Sequence, residues 1–174
     1  MAENEKENGA ATKAAATDEN QPQVGVIAQY IKDLSFESPN APAVFQTMNE
    51  GKPNIDVNVS VGAKKISDES YEVELKTTIK ATHGENSTFM IDLVYAGLFG
   101  IRNLPEDTIQ PFLLIQAPTI LFPFSRRVIA DATRDGGFPP LLLEPIDFNA
   151  LFQHSAAQAQ AQQEAGKDAS ETPS

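Results

Sequence analysis

Between residues 24 and 95 apolar and polar residues alternate with a period of two, the signature of half-buried strands. Four runs carry the pattern. In residues 24–37, Ala28, Tyr30, Leu34 and Phe36 fall on one side; Ile27, Gln29, Ile31, Asp33, Ser35 and Glu37 fall on the other. Ser38-Pro39-Asn40-Ala41-Pro42 closes that run with a loop. In residues 55–61, Ile55, Val57, Val59 and Val61 oppose Asp56, Asn58 and Ser60. Residues 71–79 repeat the scheme, with Glu72, Glu74, Lys76 and Lys80 outward, and a turn at Ser67-Asp68-Glu69 joins the two as a hairpin. His83-Gly84-Glu85-Asn86 supplies the next turn, and residues 88–95 make a fourth strand. There Phe89, Ile91, Leu93 and Tyr95 share one face, and Met90, Asp92 and Val94 the other.

After Gly97 the pattern predicts helices, with Gly97-Leu98-Phe99-Gly100 as a turn. Asn103, with Glu106 three residues on, reads as a capping-box start, and Pro111 should kink or end that short helix. A second helix is expected over residues 119–134, with Leu121, Phe124, Val128 and Ala132 as its apolar stripe. Gly136-Gly137 stops it. Residues 138–145 must be extended because of Pro139, Pro140 and Pro145. Asp147 caps a last helix, with Ile146 and Leu151 as a staple. Four antiparallel strands followed by helices is an α+β pattern. The surplus of apolar groups at residues 112–115, 120–124 and 141–143 predicts an oligomer.

Composition narrows the functional classes. A chain of 174 residues favours one domain, and at that length a globular fold buries roughly 70% of its unfolded surface. The net charge of −11 argues against nucleic acid and fits a partner with a basic patch. Residues 1–23 and 153–174 have little to bury and read as disordered or flexible tails around a domain at 24–152. That domain holds 16 acidic and 10 basic residues, so it is acidic in its own right. With no cysteine there are no disulfides, thiolate nucleophiles or cysteine zinc sites. No signal peptide is visible. The longest apolar run, residues 112–124, is cut by Gln116, Pro118 and Pro123 and falls short of the ~20 residues of a membrane span. A cytoplasmic protein is expected, and the glycosylation patterns at Asn58 and Asn86 are read as chance matches.

The sequence carries no nucleotide loop and no nucleophile elbow. His83 in a turn and His154 in a fraying helix read as solvated residues rather than as general bases or metal ligands. Asp33 and Glu37 share a strand face, but four residues at ~3.3 Å each set them ~13 Å apart, too far for a cooperating pair. By themselves these carboxylates describe either a solvated acidic face or a docking surface for a basic partner.

Five stretches are read together: Tyr30-Ile31-Lys32-Asp33-Leu34-Ser35-Phe36-Glu37-Ser38-Pro39-Asn40-Ala41-Pro42; Tyr71-Glu72-Val73; Pro118-Thr119-Ile120-Leu121-Phe122-Pro123-Phe124-Ser125-Arg126; Gly137-Phe138-Pro139-Pro140-Leu141; and Pro145-Ile146-Asp147-Phe148-Asn149-Ala150-Leu151-Phe152. In order and spacing they resemble the SecB protein-export chaperones over residues 26–152. The resemblance implies a homotetramer built as a dimer of dimers. It implies a non-catalytic chaperone that uses no cofactor, metal or nucleotide. Such a chaperone holds unfolded precursor proteins and delivers them to the SecA motor, which consumes the ATP. The resemblance also assigns SecA docking to Asp33, Glu37, Met90 and Asp92, where the family tends to carry Leu and Glu at the last two places. Client binding is expected at Val57, Val59, Phe99, Phe122, Phe138, Leu141 and Leu142, several of which could equally be core. A SecB-like general or toxin–antitoxin-associated holdase with another receiving partner is the alternative; it would be expected to lose the acidic docking residues.

Overall fold

The computed structural model describes residues 21–47 and 51–157. The expected tails lie largely outside that range. Four strands, β1 (Gln23–Glu37), β2 (Asn54–Ser67), β3 (Ser70–His83) and β4 (Asn86–Arg102), form one antiparallel sheet in the order β1-β4-β3-β2. Two-residue turns join β2 to β3 and β3 to β4, and Gly84 supplies the positive φ, 60°, that the second turn needs. The segment between β1 and β2, which carries the short helix α1 (Val44–Thr47), crosses from one edge of the sheet to the other.

β4 is longer than the alternation suggested. Gly97 to Gly100 is not a turn; the strand is paired on both sides through Gly100 and runs on to Arg102 against β1. Gly97 is there for packing: a Cβ at that position would lie 2.7 Å from Leu121 Cδ2 and 2.8 Å from Phe99 Cε2. The missing side chain lets the long helix settle onto the strand.

That helix is one rod. α2 (Glu106–Pro111), a π-helical turn (Phe112–Gln116) and α3 (Ala117–Asp135) run on without a break, so Pro111 does not end it and no new helix starts at Thr119. Each proline removes a backbone donor and crowds the preceding turn; the wider π turn re-spaces the chain between Pro111 and Pro118. Its 30 residues are long and apolar enough, by length and composition, to cross a membrane, contrary to the sequence expectation; half of its most apolar window is buried within the fold. Asn103 is not the N-cap. It takes φ 54° and donates to the Gln21 carbonyl, while Pro105 stands at the cap.

The buried stripe of α3 is rotated from the expected one. Leu121, Ser125, Ile129 and Thr133 are fully buried at i, i+4 spacing, whereas Phe124 is 41% exposed and only stacks on Tyr95. The stripe meets Leu75, Ile79, Ile91, Leu93 and Phe99 of the two central strands, all fully buried. At roughly 1.5–3 kcal/mol for each large apolar side chain, this two-layer contact is the main stabilising term. The helix ends as expected at the glycine pair: Gly137, φ 87°, donates to the Arg134 carbonyl and Phe138 to the Thr133 carbonyl, a Schellman closure. Asp147 Oδ1 accepts from the Asn149 and Ala150 amides at 3.0 Å and caps α4, residues 148–157.

Candidate functional site

On the helix side of the sheet, the crossing segment and the extended chain after α3 enclose a cavity of about 410 Å³ with chiefly apolar walls. Val44 of α1, Ile55 of β2, Phe89 of β4 and residues 138–141 line it, and His83 closes the end of β3. Its wall is an aromatic cluster: Phe138 lies 5.0 Å from Phe89, 5.2 Å from Phe45 and 6.3 Å from Phe36, between ring centroids. Phe36 and Phe89 stack at 5.9 Å. Prolines 139 and 140 keep the following chain extended, and the Leu141 amide donates to Thr133 Oγ1 at 2.9 Å. Thr133 itself donates back into its own helix, so one buried hydroxyl ties this wall to α3.

Of the sequence candidates on this side, Phe138 and Leu141 line the cavity. Leu142, next in sequence to Leu141, is 63% exposed. Val57, 39% exposed, and Val59, half-buried, lie on the helix side of edge strand β2. Phe99 and Phe122 are elsewhere: Phe99 is edge-on to Phe112 at 5.8 Å and Phe122 to Phe148 at 6.0 Å, both in the core. The pattern missed Phe89, Val44 and His83, which line the cavity, and Phe45, which packs on Phe138 behind it. A lone aromatic in a proline-rich crossing, Phe45, was the available signal.

The opposite face of the sheet is open. Here β1 corrects the expected alternation, because it is irregular between Val26 and Ala28 and again between Ile31 and Asp33. Leu34 and Phe36 pair with Leu93 and Ile91 and so face the helix, but Ala28 and Tyr30 pair with Leu98 and Ala96 on the outer face. Asp33, Ser35 and Glu37 share that outer face, opposite Val94, Asp92 and Met90. The structure therefore brings Asp33, Glu37, Met90 and Asp92 together on adjacent strands. The three carboxylates are exposed, Met90 is half-buried among them, and Thr78 Oγ1 donates to Asp92 at 2.7 Å. Further along, Tyr30 Oη donates to Glu72 at 2.5 Å, and Lys32 Nζ bonds Glu72 at 2.8 Å and Glu74. Lys32 and then Tyr30 hold the Glu72 carboxyl below its ordinary range; the same carboxylate raises Tyr30, and Glu72 and Glu74 raise Lys32.

A larger hollow, about 660 Å³, lies at the other end of the sheet near the β2–β3 turn. Its lining is mostly polar and holds two ion pairs, Arg102 with Glu69 at 2.7 Å and Lys65 with Asp68 at 3.1 Å. Among the described residues no three His, Asp or Glu side chains gather where they could hold a metal ion.

A family model described as "Preprotein translocase subunit SecB" matches residues 17–159. The "Protein-export protein SecB" of Rhizorhabdus wittichii is 53% identical over 156 residues, covering 90% of this chain and 93% of that protein. The protein of the same name from Zymomonas mobilis is 55% identical over 137 residues, covering 79% and 82%. Among solved structures, a Mycobacterium tuberculosis SecB-like chaperone in complex with an antitoxin peptide superposes with a TM-score of 0.56, covering 71% of this chain and 90% of that one. At 16% identity that likeness concerns the fold.

Proposed function

The chain belongs to the SecB family of protein-export chaperones, and from that premise we propose that it works by holding unfolded precursor proteins on one side of its sheet while docking the SecA motor with the other. It does so without catalysis, cofactor or nucleotide, in the cytoplasm, as a homotetramer of two dimers. The observation that carries the reading is the separation of two surfaces: the apolar, aromatic-walled cavity on the helix side, and the acidic strip of Asp33, Glu37 and Asp92 around Met90 on the outer face.

Each surface suits its task. An unfolded client offers apolar side chains and unpaired backbone. The cavity, continued by the half-exposed Ile55, Val57 and Val59 of edge strand β2 and by Leu142, offers apolar contact and a free strand edge. Weak contacts of this kind become useful when several protomers act together. The tetramer is supported by the exposed Val24, Val26, Ile31 and Leu34 of the other edge strand and by Ile120 and Phe124 of α3, apolar surface that a lone protomer leaves in water. The acidic strip suits a basic element of SecA, such as its small zinc-bearing tail. Exposed charge pairs are worth only ~0–1 kcal/mol each, so several must act at once and the association should weaken with salt.

The test is a pair of titrations. Wild type and the double variant Asp33→Lys, Glu37→Lys are titrated with SecA at two salt concentrations, alongside suppression of aggregation of an unfolded client without ATP. The reading expects weaker SecA binding in the variant, weaker wild-type binding at high salt, and equal client holding. Unchanged SecA affinity would sink the docking assignment. Loss of holding in a folded variant would put the client groove on the wrong face, and a stable monomer by light scattering at micromolar concentration would remove the tetramer.

A further inference from the structure

Tyr30 and Asp33 are three positions apart, yet both lie on the outer face, paired across to Ala96 and Val94. In a regular strand an odd separation puts two residues on opposite faces, so one extra residue has been inserted, and it is Lys32. The position of that insertion decides the acidic strip. Slipping the second half of β1 by one residue would turn Asp33 and Glu37 toward the helix and Leu34 and Phe36 outward.

The residues flanking the insertion are held in an unusual way. β4 lies between β1 and β3, and both Tyr30 and Lys32 reach over it to bond Glu72 on β3. The floor beneath them is Ala96, which faces outward by register yet is fully buried. Glu72 is 8% exposed, an outward-facing carboxylate shielded from water and held by a phenol and an ammonium. Lys32 also bonds Glu74, so its charge is drawn across β4, away from its neighbour Asp33.

We propose that Tyr30, Lys32 and Glu72 form a clamp over β4 that fixes the bulge in β1 and thereby positions Asp33 and Glu37 beside Asp92 and Met90 for the basic partner. They are positioning residues. The clamp acts in two ways: it sets the register of the acidic half of the strand, and it keeps the Lys32 ammonium from pairing with Asp33 or repelling a cationic ligand. This inference rests on the docking reading above.

The test uses the full chain and purified SecA. Glu72→Ala should weaken SecA binding about tenfold, Tyr30→Phe less, and Lys32→Arg, which keeps both the reach and the charge, should bind like wild type. Client holding should stay at the wild-type level in all three. Because the clamp acts through Asp33 and Glu37, adding Glu72→Ala to the variant Asp33→Ala, Glu37→Ala should leave its affinity within about twofold. Multiplied losses in that triple variant would overturn the proposal, as would a wild-type affinity in Glu72→Ala. Should Glu72→Ala fail to assemble, Tyr30→Phe, which removes one hydroxyl, decides: a wild-type SecA affinity overturns the clamp and a reduced one with normal holding supports it. If wild type itself does not bind SecA, the docking reading fails; if wild type binds and Glu72→Ala binds equally, only the clamp does.

Discussion

Replacing Phe138 tests whether the aromatic cluster both holds up the cavity wall and meets the client. Its ring is almost fully buried and lies within 5.0–6.3 Å, between centroids, of Phe89, Phe45 and Phe36. Phe→Ala in a core costs about 3–5 kcal/mol, and the low end applies because the hole opens into an existing cavity. Phe138→Ala should therefore lose about 3 kcal/mol, a fall of about 1.5 M in the urea midpoint if the slope is about 2 kcal/mol/M. Phe138→Leu keeps most of the volume, and its cost should stay under about 1.5 kcal/mol, much of it the lost ring–ring preference. The assay is urea unfolding followed by circular dichroism at fixed protein concentration, since assembly makes stability concentration-dependent. It is paired with ATP-free suppression of client aggregation. Phe138→Ala should lose holding as well as stability, and Phe138→Leu should lose part of the holding while remaining folded. An unchanged midpoint in Phe138→Ala would refute the packing argument, and full holding in a folded Phe138→Ala would remove this residue from the client surface.

Gly97→Ala should destabilise by about 1–3 kcal/mol, because the two side chains its methyl would strike are fully buried and cannot swing aside; a thermal melt at or above wild type would contradict that. Thr133→Val leaves the Leu141 amide without its hydroxyl acceptor, worth about 1–3 kcal/mol, and hydrogen exchange at Leu141 should speed up while exchange in β3 and β4 is unchanged. The Glu72 carboxyl is held below its unfolded range by Lys32 and Tyr30, so its contribution is present above the unfolded value of about 4.3 and lost as pH falls through the lower folded value. The stability gap between wild type and Glu72→Gln should thus be open at pH 7 and close in acid; a gap independent of pH would count against the ion pair.

What could be read from the sequence follows from what period-two alternation encodes. It encodes faces within an uninterrupted strand, so β3, buried on its helix side from Val73 to Ala81, was legible, as was the shared face of Asp33 and Glu37. It does not encode insertions, and the bulge at Lys32 sent Tyr30 to the face opposite the one its spacing from Leu34 implied. Glycine and proline misled for a related reason. Gly97 and Gly100 look like turn residues, but Gly97 is small because Leu121 presses on it; Pro111 looks like a helix stop, but a π turn absorbs it. At Gly97 a tertiary contact overrides a local preference worth about 1 kcal/mol; at Pro111 the π turn accommodates a residue that costs about 3 kcal/mol inside a regular helix.

The same limit explains the site. The acidic strip was legible in two halves: alternation puts Asp33 with Glu37 and Met90 with Asp92, but no hairpin joins β1 to β4, and only the resemblance to the family brought the two halves together. The cavity was only half legible. Phe138 and Leu141 stood out in an apolar, proline-bound segment, while Phe45, Phe89 and His83 come to that wall from three other parts of the chain, joined only when the crossing segment passes over the sheet edge. Phe99 and Phe122 were indistinguishable from them by hydrophobicity, since a core residue and a client contact have the same composition and differ only in what stands in front of them. For a protein whose function is to offer apolar surface, sequence identifies the set of candidate residues, and only the path of the backbone divides that set into what holds the fold and what can hold a client.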